Sequence, residues 1–135
     1  MNLFLDDVRI PYETGNYIYP VELRSMYRLL DWVIVRNYNQ FVQIIKNNGL
    51  PNVISFDHDL GEDEAESLRS EGFSKRKARE HKKTVMSGYD CAKWLCDYCL
   101  ENGLPIPEYY CHSMNPTGKE NILSLLNNYK NHLNE

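Results

Sequence analysis

Four short apolar runs punctuate the chain, and polar residues follow each of them closely. Leu3-Phe4-Leu5 runs into Asp6-Asp7, Trp32-Val33-Ile34-Val35 into Arg36, Val53-Ile54-Ser55-Phe56 into Asp57, and Tyr109-Tyr110-Cys111 into His112. Continuous apolar character predicts strands buried on both faces, as in parallel α/β sheets. The segments between them carry helical spacing. Asn37 with Gln40 three residues on is a capping-box pattern. It opens a run with Phe41, Val42, Ile44 and Ile45, closed by Gly49 and Pro51. Ser87 and Asp90 repeat the pattern before Ala92, Leu95, Cys96, Cys99 and Leu100, closed by Gly103. Asn115-Pro116 puts proline at a first helical position, and Ile122, Leu125, Leu126, Tyr129 and Leu133 follow at helical spacing. Val21 to Leu30 is ambiguous and is read as a short helix.

Strands and helices therefore alternate. Right-handed crossovers turn that alternation into an α/β, doubly wound parallel sheet. The expected strand order is 2-1-3-4, with no fifth strand. With 135 residues the chain makes one domain, residues 1–135. One segment breaks the rhythm, a charged insertion at about 62–87. Its first half is acidic (Glu62, Asp63, Glu64, Glu66, Glu71) and its second half basic (Lys75, Arg76, Lys77, Arg79, Lys82, Lys83). It reads either as a solvated, partly helical insertion of self-complementary charge or as a mobile lid that brings cations over a phosphate.

Composition narrows the classes. With 42% hydrophobic and 12% aromatic residues, disorder is excluded as the main state. No run is long and apolar enough for a membrane span. Acids arrive too early for a signal peptide, so the expected location is cytoplasmic. A net charge of −4 argues against wholesale binding of duplex nucleic acid, and not against a small phosphorylated ligand. Cys96-x-x-Cys99 has redox or zinc spacing but no second pair. Cys91, Cys96 and Cys99 lie where a helix would bury them, so core packing is expected of them before a metal or redox role.

In open α/β sheets ligands bind at the carboxyl ends of the strands. Those ends carry the chain's most unusual residues: Asp6-Asp7, Asp57-His58-Asp59-Leu60-Gly61, and His112-Ser113-Met114-Asn115-Pro116. In the order 2-1-3-4 they share one crevice. Carboxylates packed together repel, by about 4 kcal/mol per pair at 4 Å and an effective dielectric of ~20. A divalent cation relieves that repulsion, and hard oxygen ligands suit Mg²⁺ or Mn²⁺. Asp6, Asp7, Asp57 and Asp59 are the expected ligands, and the plainer alternative is that Asp6 or Asp59 only caps a loop. His58 and His112 flank the carboxylates, where one imidazole can take a proton while the other gives one. His81 and His132 are read as bystanders. Asn115-Pro116-Thr117-Gly118-Lys119 opens a helix beside the cluster, where free amides favour an anion. Ser113, Asn115, Thr117, Gly118 and Lys119 are thus the expected phosphate contacts.

These residues resemble the receiver domain of two-component signalling, a flavodoxin-like fold. Asp6 and Asp7 match its acidic pair, Asp57 its phosphate-accepting aspartate and Ser113 its hydroxyl position. Gly88-Tyr89-Asp90 looks like the turn after the third strand, displaced by the insertion. The likeness is closer to an offshoot, the cyclic-phosphate processing receiver family. The blocks that carry it are Leu5-Asp6-Asp7-Val8-Arg9, Ser55-Phe56-Asp57-His58-Asp59-Leu60-Gly61 and His112-Ser113-Met114-Asn115-Pro116-Thr117-Gly118. The resemblance implies action on cyclic phosphates of nucleotides or nucleic-acid ends. It departs from ordinary receivers in lacking the fifth strand and its lysine, for which Lys119 is at best a stand-in.

Two readings follow. The first is a metal-dependent phosphoesterase: Asp6, Asp7 and Asp57 hold the metal with Asp59 nearby, His58 and His112 transfer protons, and Ser113 with the 115–119 amides holds phosphate oxygens. A phosphorylated Asp57 is a variant of it. The second is a non-catalytic receiver-like module that binds a phosphorylated ligand or partner protein, with the open edge of strand four available for a homodimer.

Overall fold

The computed structural model describes residues 1–61 and 85–133. The charged run at 62–84, and with it the choice between solvated insertion and lid, lies outside the described residues. The elements are β1 (Asn2–Leu5), α1 (Pro11–Thr14), a 3₁₀ turn (Val21–Leu23), α2 (Arg24–Leu29), β2 (Trp32–Val35), α3 (Tyr38–Asn48), β3 (Val53–Phe56), α4 (Gly88–Asn102), β4 (Glu108–Cys111) and α5 (Pro116–Leu133). The four strands are parallel and ordered β2-β1-β3-β4, as the apolar runs predict. Val21 to Leu30 divides into the 3₁₀ turn and α2. One further turn of helix, α1, opens on Pro11.

The central strands are the most apolar because both of their faces are covered. Val53 to Phe56 is buried throughout, whereas the outer strands β2 and β4 are partly exposed. Alternation splits the side chains between two layers. Leu3, Leu5, Ile54, Phe56 and Cys111 face α3, α4 and α5, meeting Phe41, Ile45, Leu95, Ile122 and Leu126. Phe4 points the other way, into a smaller cluster with Ile18 and Tyr27. Ser55 also looks to this side, where its hydroxyl meets Tyr27. All four cysteines are buried free thiols. Burial pushes Cys96 up to about 12 and Cys99 and Cys111 up to about 11.

Local chemistry starts the helices where the sequence says. Asn37 Oδ1 accepts from the Gln40 amide at 2.9 Å. Gln40 Oε1 in turn accepts from the Arg36 amide at 2.7 Å, one residue earlier than a reciprocal box would place it. Ser87 and Asp90 form the full reciprocal box, and α4 closes on Gly103 at φ 63°.

The first residue of α4 is pressed against the end of β3. The Gly88 amide donates to the His58 carbonyl at 2.7 Å. A Cβ on Gly88 would stand 1.7 Å from the Asp57 carbonyl oxygen. Glycine is therefore required for room, and this contact seats Asp57 and His58 against α4. Gly88→Ala is expected to destabilise the fold by ~1–3 kcal/mol, the usual range for overpacking. Helix propensity alone predicts a gain of ~1 kcal/mol. Urea unfolding decides between them, and a stabilised variant would show that the contact yields freely.

Candidate functional site at the strand ends

The register sets the site. Leu5 pairs with Phe56, and Phe56 with Cys111, so the residues that follow each of them emerge side by side. Asp7, Val8, Arg9, Asp57, Asp59, Ser113, Met114 and Asn115 line one open cleft there. Strands β1, β3 and β4 thus bring Asp7, Asp57, Asp59, Ser113 and Asn115 together, as expected from strand order.

Asp6 lies behind this surface, fully buried. Its Oδ1 accepts from the Val8 and Arg9 amides at 3.0 and 2.8 Å. Its Oδ2 accepts from His112 Nε2 at 3.0 Å, with the Arg9 guanidinium at 3.6 Å. Burial pushes this carboxyl up, but His112 and the two amides outweigh it and hold Asp6 below the usual carboxylate value. Asp7 Oδ2 accepts from the Gly61 amide at 3.1 Å, tying the first acidic loop to the loop after β3.

Asp57 is the perturbed acid. It is 4% exposed, and its Oδ1 accepts from the His58 amide at 2.9 Å. Burial first, then the charges of Asp6 and Asp7, push it up to about 7; Arg9 and that amide offset only part of the rise. Oxygen atoms of Asp6 and Asp57 and a nitrogen of His112 lie within 4.8 Å of one another. Both His112 nitrogens are engaged inside the protein, Nδ1 with Ser55 and Nε2 with Asp6. The donors available to a cation are therefore carboxylate oxygens, a set that fits a hard divalent ion such as Mg²⁺ or Mn²⁺. Asp59 stands at the rim, its side chain 58% exposed. Its oxygens accept from His58 Nδ1 at 2.8 Å and Asn115 Nδ2 at 3.4 Å.

The two histidines have different surroundings. His112 is wholly buried, its ring stacked on Phe4 with centroids 4.4 Å apart. Burial lowers its basicity, and Asp6 restores only part. His58 is partly exposed and lines a neighbouring cavity with Ser87, Tyr89, Asn121 and Ser124. Asp59, its hydrogen-bond partner, lines the cleft. His58 therefore stands at the boundary between the two openings.

The start of α5 is already capped. Asn115 Oδ1 accepts from the Gly118 amide at 3.0 Å, and the Asn115 carbonyl accepts from the Lys119 amide at 2.9 Å. Ser113 Oγ accepts from the Asn115 amide at 3.1 Å, which leaves its own proton to donate. Thr117, Gly118 and Lys119 are not among the residues lining the cleft. The residue that pattern reading passed over is Arg9. Its guanidinium lies over the Tyr17 ring at 5.7 Å, reaches Met114 Sδ at 3.4 Å and supplies positive charge to the cleft. Its place in the first acidic block is the sequence signal for it. Ser55, Tyr17 and Tyr27 had no such signal, because their roles depend on contacts across the sheet.

The fold and the cleft define a receiver-like α/β domain with an acidic site at the ends of β1, β3 and β4. The family model of the cyclic-phosphate processing receiver domain matches residues 1–128, and the chain belongs to that family. No curated protein and no solved structure matches the chain. Among the described residues, no helix is long and apolar enough to cross a membrane.

Two measurements test this geometry. Asp57 titrates near 4 when unfolded and at about 7 when folded. The folded state therefore binds the proton more tightly, and without divalent ions stability falls as pH rises from about 4 to about 7, by at most about 4 kcal/mol. Asp57→Asn removes that part of the slope in urea melts across this range; an unchanged slope means Asp57 is not the perturbed acid. The second concerns Gly118, where a Cβ would stand 2.3 Å from His58 Cγ. Gly118→Ala should destabilise the native background, yet in His58→Ala it should recover up to ~1 kcal/mol of helix propensity. A double-mutant cycle with no coupling would show that the ring leaves its seat without cost.

Proposed function

We propose that the chain is a divalent-cation-dependent phosphoesterase acting on cyclic phosphates of nucleotides or nucleic-acid ends. The observation that carries this reading is the cleft, where Asp7 and Asp57 face the same opening as Arg9, Ser113 and Asn115. Asp6, Asp7 and Asp57 would hold Mg²⁺ or Mn²⁺, with Asp59 at the rim. When bound, such a cation neutralises the carboxylates and polarises a phosphoryl oxygen. Arg9 and the Ser113 hydroxyl then hold phosphate oxygens. His58, with Asp59 on its Nδ1, would transfer the proton from the boundary of the cleft. Family membership supports a phosphorylated ligand of this class.

The second reading is a non-catalytic module for a phosphorylated ligand or partner, with the β4 edge pairing to a second copy. One observation favours it: His112 is buried with both ring nitrogens bonded inside the protein, and His58 lines the neighbouring cavity, so neither histidine is part of the cleft lining.

Single-turnover assays on 2′,3′-cyclic and 3′,5′-cyclic nucleotides separate the readings. The enzyme reading expects cleavage that stops on chelation of divalent ions. It expects His58→Ala to lose ~10²–10⁴ in rate, with a much smaller loss in affinity for a non-hydrolysable analogue. Binding without turnover of any substrate in the panel supports the module.

A further inference from the structure

Behind the cleft four side chains are joined in series. Tyr27 Oη lies 2.6 Å from Ser55 Oγ, Ser55 Oγ 2.7 Å from His112 Nδ1, and His112 Nε2 3.0 Å from Asp6 Oδ2. Tyr27 is 1% exposed and the other three are 0% exposed. They come from α2, from β3 and from the ends of β4 and β1. The imidazole lies parallel to the Phe4 ring, 7° between planes, and edge-on to Tyr27, so packing blocks its rotation out of the series.

The direction of the hydrogen bonds follows from the donor and acceptor inventory. Asp6 already accepts two backbone amides on Oδ1. An ionised carboxylate only accepts, so His112 Nε2 carries the proton and donates it to Oδ2. A second proton on Nδ1 would turn the Ser55 proton toward Tyr27 and leave the buried Tyr27 hydroxyl, whose partner is Ser55 Oγ, with no acceptor, so Nδ1 is the bare nitrogen and accepts from the Ser55 hydroxyl. Ser55 has one proton, so its oxygen in turn accepts from the Tyr27 hydroxyl. Burial pushes the Tyr27 phenol upward, which keeps its proton in place. Each link settles the next, and no proton is missing or left over.

We propose that Tyr27, Ser55 and His112 are positioning residues for the cleft, a one-way donor chain that fixes the orientation of the Asp6 carboxylate. Burying polar groups is costly unless every one is satisfied, and a satisfied network then specifies a single arrangement. Here that arrangement ends on the carboxylate that stands directly behind Asp7 and Asp57. Tyr27 packs its ring on Trp32 at 5.6 Å, so its hydroxyl can be removed while the packing stays. The functional half of this proposal rests on the reading of the cleft as a divalent-cation site.

The test pairs the ¹⁵N spectrum of the His112 ring with calorimetric Mn²⁺ binding, in the full chain and in Ser55→Ala, Ser55→Thr and Tyr27→Phe. The expected native ring has its proton on Nε2 and a bare Nδ1. Ser55→Ala should shift the Nδ1 resonance and weaken Mn²⁺ by about 10-fold or more, the range for losing an outer partner of a ligand. Ser55→Thr should restore both, and Tyr27→Phe should shift the same resonance with little change in melting temperature. If Ser55→Ala does not fold, the native ring and Tyr27→Phe decide the matter. A proton on Nδ1 in the native protein overturns the chain, as does a Ser55→Ala protein with native ring spectrum and native Mn²⁺ affinity. A native protein with the expected ring but no Mn²⁺ binding overturns the cation reading and with it the positioning role, leaving a purely structural network.

Discussion

Two carboxylates buried side by side at the ends of adjacent strands set the terms for this molecule. Asp6 and Asp57 are 0% and 4% exposed, and the charge of Asp6 raises the electrostatic cost of ionising Asp57. The fold treats them unequally. Asp6 receives two amides, an imidazole and a nearby guanidinium, so it stays ionised. Asp57 accepts the His58 amide and is pushed up to about 7. Much of the surrounding structure serves this asymmetry. Arg36 ties the first acidic loop by donating to the Asp6 and Arg9 carbonyls at 3.2 and 2.7 Å. Gly88 presses α4 against the Asp57 carbonyl. The charge that remains is what a cation in the cleft would neutralise.

The strand order was legible because apolar continuity and helix caps are local signals. Leu3 to Leu5 and Val53 to Phe56 are continuous in sequence because they are covered on both faces in space. The convergence of Asp7, Asp57, Ser113 and Asn115 followed from that order together with the rule that sites lie at the carboxyl ends of strands. Which carboxylate faces solvent could not be read in the same way. Asp6 and Asp7 are adjacent in the chain, and only the backbone turn after β1 decides that Asp6 points inward to His112. The difference between His58 and His112 was hidden for the same reason. Both follow apolar runs, yet His112 enters the Phe4 layer while His58 rests against Gly118 outside it. The helix start at Asn115 was read correctly, but its use was not evident, since only the folded geometry shows the Asn115 side chain capping the Gly118 amide that an anion would otherwise meet.

Among the described residues the sheet has four strands, and Arg9 brings positive charge to the cleft at their ends. The resemblance to ordinary receivers implies a lysine on a fifth strand, for which Lys119 is at best a stand-in in sequence terms. Its charge reaches His112 and Cys111, but its side chain is not part of the cleft lining. Arg9 is part of it, carried on the same loop as the acidic pair. Its position is held from three directions: Asp6 Oδ2 at 3.6 Å, Met114 Sδ at 3.4 Å and the Tyr17 ring at 5.7 Å. Tyr17 is itself fixed by donating to the His112 carbonyl at 3.1 Å. A guanidinium offers a planar fork where a lysine offers a point charge, and it suits oxygens presented in pairs, as on a phosphate. Among the described residues the cationic side chain lining this cleft thus arrives from the end of β1, and the ends of β1, β3 and β4 bring acid, hydroxyl and guanidinium to one opening.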